Sequence, residues 1–312
     1  MALVARRVGA WEREALAALQ RSPLLFGWLI VGPVVTFLLH GAPGLVQAIV
    51  NLVLAGIWVL LIRWLTPEPP APAPVRRPRR ELAGGLLIFA LFFAVQLLFF
   101  NVIVAPPWTG WVVAVEGAMR RAATSLQAMG LPVWAGQDLY LAFSSSAKQL
   151  LPLLALALVL RISPRSLGIR SGYAKLTAVL LGLTVLFGLP FGLVTVTPLT
   201  QVIGLYLIGL FVNALPEELL FRGLLLRRLE VILRHSTNAL VLSALLFNAI
   251  HIPIAIYHGT PPLIAALDVF SLLYPSGLVW GYLYLRTRSI LPGVLWHAAN
   301  TRLGIILASI VG

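Results

Sequence analysis

The stretch Asn213-Ala214-Leu215-Pro216-Glu217-Glu218-Leu219-Leu220-Phe221-Arg222 decides how this chain is read. It lies inside an apolar run, Val202–Leu226, and about 20 apolar residues suffice to cross the hydrocarbon core of a bilayer as a helix. An ionisable side chain near mid-bilayer costs at least about 2.5–3.5 kcal/mol on insertion scales and marks function by default. Glu218 and Arg222 stand i, i+4 on one helical face, with the acid on the favourable N-terminal side, so Arg222 is expected to neutralise Glu218. Glu217, turned by about 100°, is left free. Pro216 removes one backbone hydrogen bond beside the pair, and in a membrane such freed backbone is tolerated where it lines a buried or wet cavity.

The composition around this stretch is that of a polytopic membrane protein of all-α class. Of 312 residues, 60% are hydrophobic and 11% are charged, against about 45–50% and about 25% in soluble domains. There are no cysteines, which excludes disulfides, thiolate catalysis and Cys-based zinc sites. The net charge is +13, but no basic stretch is interleaved with stacking aromatics, so nucleic acid is not a partner. The arginines instead cluster between apolar spans, where they set topology and meet anionic lipid.

Nine spans are legible: Leu24–Leu39, Leu45–Leu61, Leu82–Val104, Leu150–Leu160, Leu176–Val196, Val202–Leu226, Ala239–Ile256, Leu263–Leu285 and Ile290–Val311. The short Leu150 segment and the Gly32-Pro33 pair in the first span make the count eight or nine. With the N-terminus in the cytoplasm, the inner segments hold Arg6, Arg7, Arg13 and Arg21, then Arg63 and Arg76 to Arg80, then Arg161, Arg165 and Arg170, then Arg227, Arg228 and Arg234, then Arg286 and Arg288. The outer segments hold little beyond Arg120, Arg121 and Lys148. That bias satisfies the positive-inside rule along the whole chain.

Residues 1–65 read as an interfacial helix, without an A-x-A cleavage site, followed by a two-span hairpin. Residues 66–81 form a Pro/Arg-rich linker, whose Pro67-Glu68-Pro69-Pro70-Ala71-Pro72-Ala73-Pro74 favours extended geometry. Residues 82–312 form the membrane core. The outer segment Ala105–Ser146 carries Trp108, Trp111 and Trp134, as an interfacial layer does. No internal repeat and no discontinuous pair of spans is visible.

Three acids fall inside the spans: Glu217, Glu218 and Asp268, the last near an outer end. His251 and His297 lie well inside theirs. At about 1.5 Å per residue, Glu217 lies about 15 Å, His251 about 18 Å and His297 about 10 Å from the arginine-rich face. Three helices thus bring polar groups to similar depth, nearer the inner face than the outer. A carboxylate holding a water is a competent general base.

Glu217-Glu218-Leu219-Leu220-Phe221-Arg222 fits E-E-x-x-x-R, and Phe247-Asn248-Ala249-Ile250-His251 fits F-x-x-x-H. His297 follows Leu291-Pro292-Gly293-Val294-Leu295-Trp296, the setting of a third motif. In this order the motifs resemble those of the CAAX-protease and bacteriocin-processing (CPBP, or Abi) intramembrane proteases, kin to the Ras-converting prenyl endopeptidase. The resemblance covers about Leu150–Val311, the protease-like part of the core. It implies a bundle of about eight or nine transmembrane helices around a conical cavity, set in a bacterial plasma membrane. It also implies an endopeptidase in which Glu217 activates water, His251 helps to position or deprotonate it, and His297 with an Asn one turn later stabilises the oxyanion. The family places Asn or Asp four residues after this histidine. Here that position is Thr301, and Asn300 stands three residues after it, so both remain candidates.

The implied substrate is a prenylated or bacteriocin-like peptide or a membrane protein. Family members are often labelled metalloproteases, and Glu217, His251 and His297 would be the zinc ligands if one is held. Yet H-E-x-x-H is absent, and a glutamate-activated water needs no metal. Two other functions use the same residues: a non-catalytic membrane binding or immunity protein, in which they form a structural network, and a proton-coupled transporter.

Overall fold

The computed structural model describes residues 20–99, 150–194 and 209–300, with a few isolated positions besides. The described residues are helical, with no strand among them. The interfacial helix expected before Ser22, the outer segment Ala105–Ser146, and Thr301 and Arg302 lie, but for isolated positions, outside the described residues. Among the described residues, three helices are long and apolar enough to cross a membrane: Pro23–Leu65, Pro78–Leu98 and Ser236–Tyr257.

Helix α1, Pro23–Leu65, is two legs joined by a kink at Gly41, whose φ of 65° lies in the left-handed region that only glycine enters freely. The Ser22 side chain caps its start by accepting from the Leu25 N–H, and Pro23 opens the first turn, where its missing N–H is not needed. Both ends of α1 reach the same face of the bundle. Ser22 donates to Asn238 at 2.6 Å, and Arg286 donates to the Thr66 and Pro67 carbonyls. The two legs therefore return to one end of the bundle as a hairpin.

The segment after the hairpin is a strap tied to the core, not a free spacer. Arg286 holds its start, Arg227 donates to the Ala73 carbonyl at 2.8 Å, and Arg228 binds Glu81 with two nitrogens at 2.9 and 2.7 Å. Glu81 lies in the first turn of α2, Pro78–Phe99. Arg228 also donates to the Ser166 and Gly223 carbonyls and is fully buried. Removing one partner of such a buried pair costs about 3–5 kcal/mol, because the other charge is left unpaired.

After α3, Leu151–Val159, and α4, Ala174–Val194, comes α5, a run of four helical pieces. Leu210–Ala214 is π-helical, Leu215–Glu217 α-helical, Glu218–Leu226 π-helical and Arg227–Leu233 α-helical. The Leu215 N–H reaches back five residues to the Leu210 carbonyl. The wide turns flank Pro216, which has no N–H to give, and π-helical turns of this kind gather at functional sites.

The sequence reads Ala239–Ile256 and Leu263–Leu285 as unbroken spans, and the structure breaks both. The first becomes α6, Ser236–Ala249, and α7, Ile252–Tyr257, with His251 at the junction and Pro253 in the first turn beyond it. The second becomes α8, Pro262–Asp268, and α9, Ser276–Thr287. Pro275 directly precedes α9 and turns Tyr274 away from helical geometry. A last helix covers 291–300.

The backbone opened between α8 and α9 is bound largely by the hairpin. Trp28 donates to the Phe270 carbonyl at 2.8 Å, Asn51 to the Leu273 carbonyl at 2.8 Å, and Thr36 accepts from the Leu272 N–H at 2.9 Å. Non-helical backbone at membrane depth survives only where protein or a wet cavity satisfies it, and α1 supplies that protein. Helices α6 and α9 pack closely and antiparallel. A Cβ on Gly277 would stand 3.2 Å from Ala244, and one on Gly281 would stand 2.3 Å from Leu240.

Candidate active site

The two glutamates on α5 have different surroundings. Glu218 is 1% exposed and faces Arg222 Nη1 at 3.2 Å, the partner its spacing suggests. Its Oε1 also accepts from His297 Nδ1 at 3.1 Å. Gly293, at the start of the last helix, lets the two come together, since a Cβ there would lie 3.0 Å from Glu218 Oε2. Glu217 keeps 9% of its surface. Among the described residues it makes no hydrogen bond, and it faces His297 Nε2 at 3.7 Å. One imidazole thus stands between both acids, held by Glu218 through one nitrogen and presenting the other to Glu217.

Aromatic rings fix this arrangement. Trp280 of α9 stacks on His297 with centroids 3.9 Å apart and planes 20° from parallel. Phe247 of α6 lies 4.5 Å from the Arg222 guanidinium carbon. It also meets the rings of His251 at 5.4 Å, Trp280 at 5.6 Å and His297 at 5.9 Å. A guanidinium over a ring face in a dry site gains about 2 kcal/mol, which helps Arg222 to be buried beside Glu218. In the sequence Phe247 stands in F-x-x-x-H without a role of its own, and Trp280 belongs to no motif. An apolar ring in an apolar span carries no signal of what it stacks upon.

His251 sits at the junction of α6 and α7, exposed, with Nδ1 3.2 Å from the Phe247 carbonyl. Its other nitrogen faces away from that anchor. His251 and His297 line one cavity of about 400 Å³, with Phe247, Trp280, His258 and Asp268 also in its wall. Glu217 does not itself line the cavity and meets it through His297, which does. Helices α5, α6–α7, α9 and the last helix therefore bring Glu217, Glu218, Arg222, His251 and His297 together.

The family described as type II CAAX prenyl endopeptidase, Rce1-like, matches residues 198–302, which contain all five residues. Residues 198–302 thus carry the signature of the CPBP (Abi) CAAX-protease family. No curated protein and no solved structure matches significantly. The hairpin and the strap lie outside the matched CPBP region.

Asn300 lies elsewhere in the matched region. It lines a second chamber of about 260 Å³ with Asn51, Trp58 and Trp296, which shares Tyr274, Ser276 and Trp280 with the first. Trp58 and Trp296 pack there with centroids 4.8 Å apart. The i+3 offset turns Asn300 toward the hairpin, and Thr301 is outside the described residues. No three of His, Asp and Glu among the described residues are grouped to hold a metal ion, and His297 presents both nitrogens to carboxylates.

Proposed function

We propose that this chain is an intramembrane endopeptidase that hydrolyses a peptide bond with a water activated by Glu217. The observation that carries the reading is the division of labour between adjacent acids. Glu218 is engaged by Arg222 and His297, while Glu217 makes no hydrogen bond among the described residues and faces His297 Nε2 at 3.7 Å. A base must be free to take a proton within hydrogen-bond reach of its water, and Glu217 is the carboxylate so placed.

In the proposed reaction Glu217 removes a proton from water as the oxygen attacks the scissile carbonyl carbon. His251, on the cavity wall, positions that water. His297 Nε2 donates to the developing oxyanion, with its ring fixed by Glu218 and Trp280, as preorganised donors should be. The tetrahedral intermediate collapses with cleavage of the C–N bond, and Glu217 returns the proton to the leaving amine. No step needs a metal. The substrate class is a peptide or membrane protein reached within the bilayer.

The test is comparison of membrane-proteome cleavage products, read as new protein N-termini, in cells carrying the wild-type chain and cells carrying Glu217→Gln, with and without a chelator. The reading expects products specific to the wild type that persist under chelation. Identical products in both strains would contradict it.

A further inference from the structure

We infer that the catalytic cavity opens to the extracytoplasmic side, so that the substrate is a membrane-protein segment presented at the outer leaflet and not a lipidated tail made in the cytoplasm. This rests on the endopeptidase reading for the word substrate, but the direction of access stands on geometry alone.

One end of the bundle is fixed by contacts. Arg286 meets the strap at Thr66, Arg228 meets Glu81, and Arg288 meets Glu230 at 2.7 Å. Ser22 meets Asn238, and Ser289 meets the Arg170 carbonyl. This is the face that gathers the arginines, and the positive-inside rule makes it cytoplasmic. The cavity is lined by residues of the opposite end. Helices α6 and α7 run from Ser236 at the arginine face to Tyr257. His258 ends α7, beyond the break at His251 and away from that start. His258 and Asp268 line the cavity, and Asp268 pairs with His40 at 2.8 Å, beside the hairpin bend at Gly41. Among the described residues of this end, 36–46 and 250–275 hold no Lys or Arg.

The arginine end is shut beneath the site. Phe221, Leu225, Leu226, Arg228 and Leu283 are all fully buried and fill the bundle between Glu218 and that face. His251 lies about 10 Å from His258 along α7 but about 22 Å from Ser236. Counting residues from the arginines places the carboxylates nearer the inner face, and that count describes depth. The packing adds which way the site is reached, and it is the other way.

The chain has no cysteine, so single-cysteine variants of the full chain can be labelled in intact cells with a membrane-impermeant maleimide. Thr260→Cys marks the loop between α7 and α8, Ala255→Cys the cavity wall, and Glu68→Cys the strap. The inference expects Thr260→Cys and Ala255→Cys to label from outside. Glu68→Cys should label at least tenfold more after permeabilisation than before. Labelling of Glu68→Cys from outside, or of Ala255→Cys only after permeabilisation, overturns it. The readout needs no turnover, so it remains decisive if the peptidase reading fails.

Discussion

Glu218 accepts a hydrogen bond from His297 Nδ1 at 3.1 Å, across 79 residues of sequence, while Arg222 Nη1 stands 3.2 Å from the same oxygen. That contact makes one glutamate of an adjacent pair a fixture of the scaffold. Its neighbour Glu217 is left facing His297 Nε2. Two residues of equal chemistry, one position apart, are therefore expected to answer differently to substitution.

Arg222→Ala strands a Glu218 carboxylate that is 1% exposed. The expected loss is about 3–5 kcal/mol, read as a lowered unfolding midpoint in detergent. Arg222→Lys should recover little of it, because a lysine cannot lie flat on Phe247 and reach the Gly277 carbonyl, as the guanidinium does. Full recovery by lysine would show that only the charge matters.

The two histidines should separate stability from turnover. His297 is 4% exposed, stacked on Trp280 and bonded to Glu218. His297→Ala should therefore cost about 2–5 kcal/mol of stability together with activity. His251 is exposed on the cavity wall, so His251→Ala should shift stability by only about 0.5 kcal/mol while lowering cleavage. Equal thermal effects from the two would contradict these placements.

The hairpin should matter to the core through the backbone it satisfies. Thr36→Val orphans the Leu272 N–H, and Asn51→Leu the Leu273 carbonyl. Each should cost about 1–3 kcal/mol. Limited proteolysis between Asp268 and Ser276 would report the loosened turn, and an unchanged cleavage rate there would show that the hairpin is dispensable to it.

At the arginine face, burial pushes the Glu230 carboxyl up. Hydrogen bonds from Arg288 and Ser236, with the charges of Arg288 and Arg227, outweigh it and hold the group below the usual glutamate range. A depressed folded value means that the stabilisation is full above the unfolded value of about 4.3 and is lost as pH falls through the folded value. The unfolding midpoint should drop over that acid window in the wild type and less steeply in Glu230→Gln. Parallel profiles would remove Glu230 from the account.

Much of the site can be read from the chain. The Glu218–Arg222 pair follows from i, i+4 spacing, and the disturbance at Pro216 follows from its missing N–H. What cannot be read are the relations that cross the bundle. His297 binds Glu218, Arg228 binds Glu81 over 147 residues, and Arg286 reaches Thr66 over 220. Hydropathy also runs smoothly through 250–251 and 269–275, because apolar residues continue across the breaks. Only Pro253 and Pro275 hint at them. The Pro-rich segment looks free by composition because the arginines that hold it lie far along the chain. Asn300 shares a helix with His297 but looks into the chamber beside the hairpin, which the family motif does not include.

The central claim is that Glu217 is the base and Glu218 is structural. The most direct measurement compares Glu217→Gln with the wild type in two readouts on the same purified protein: cleavage of a substrate identified from the wild-type products, and the thermal unfolding midpoint. The account predicts that cleavage falls by about 10²–10⁴ while the midpoint stays within a few degrees. Cleavage at the wild-type rate, or a loss of activity matched by collapse of the fold, would contradict it.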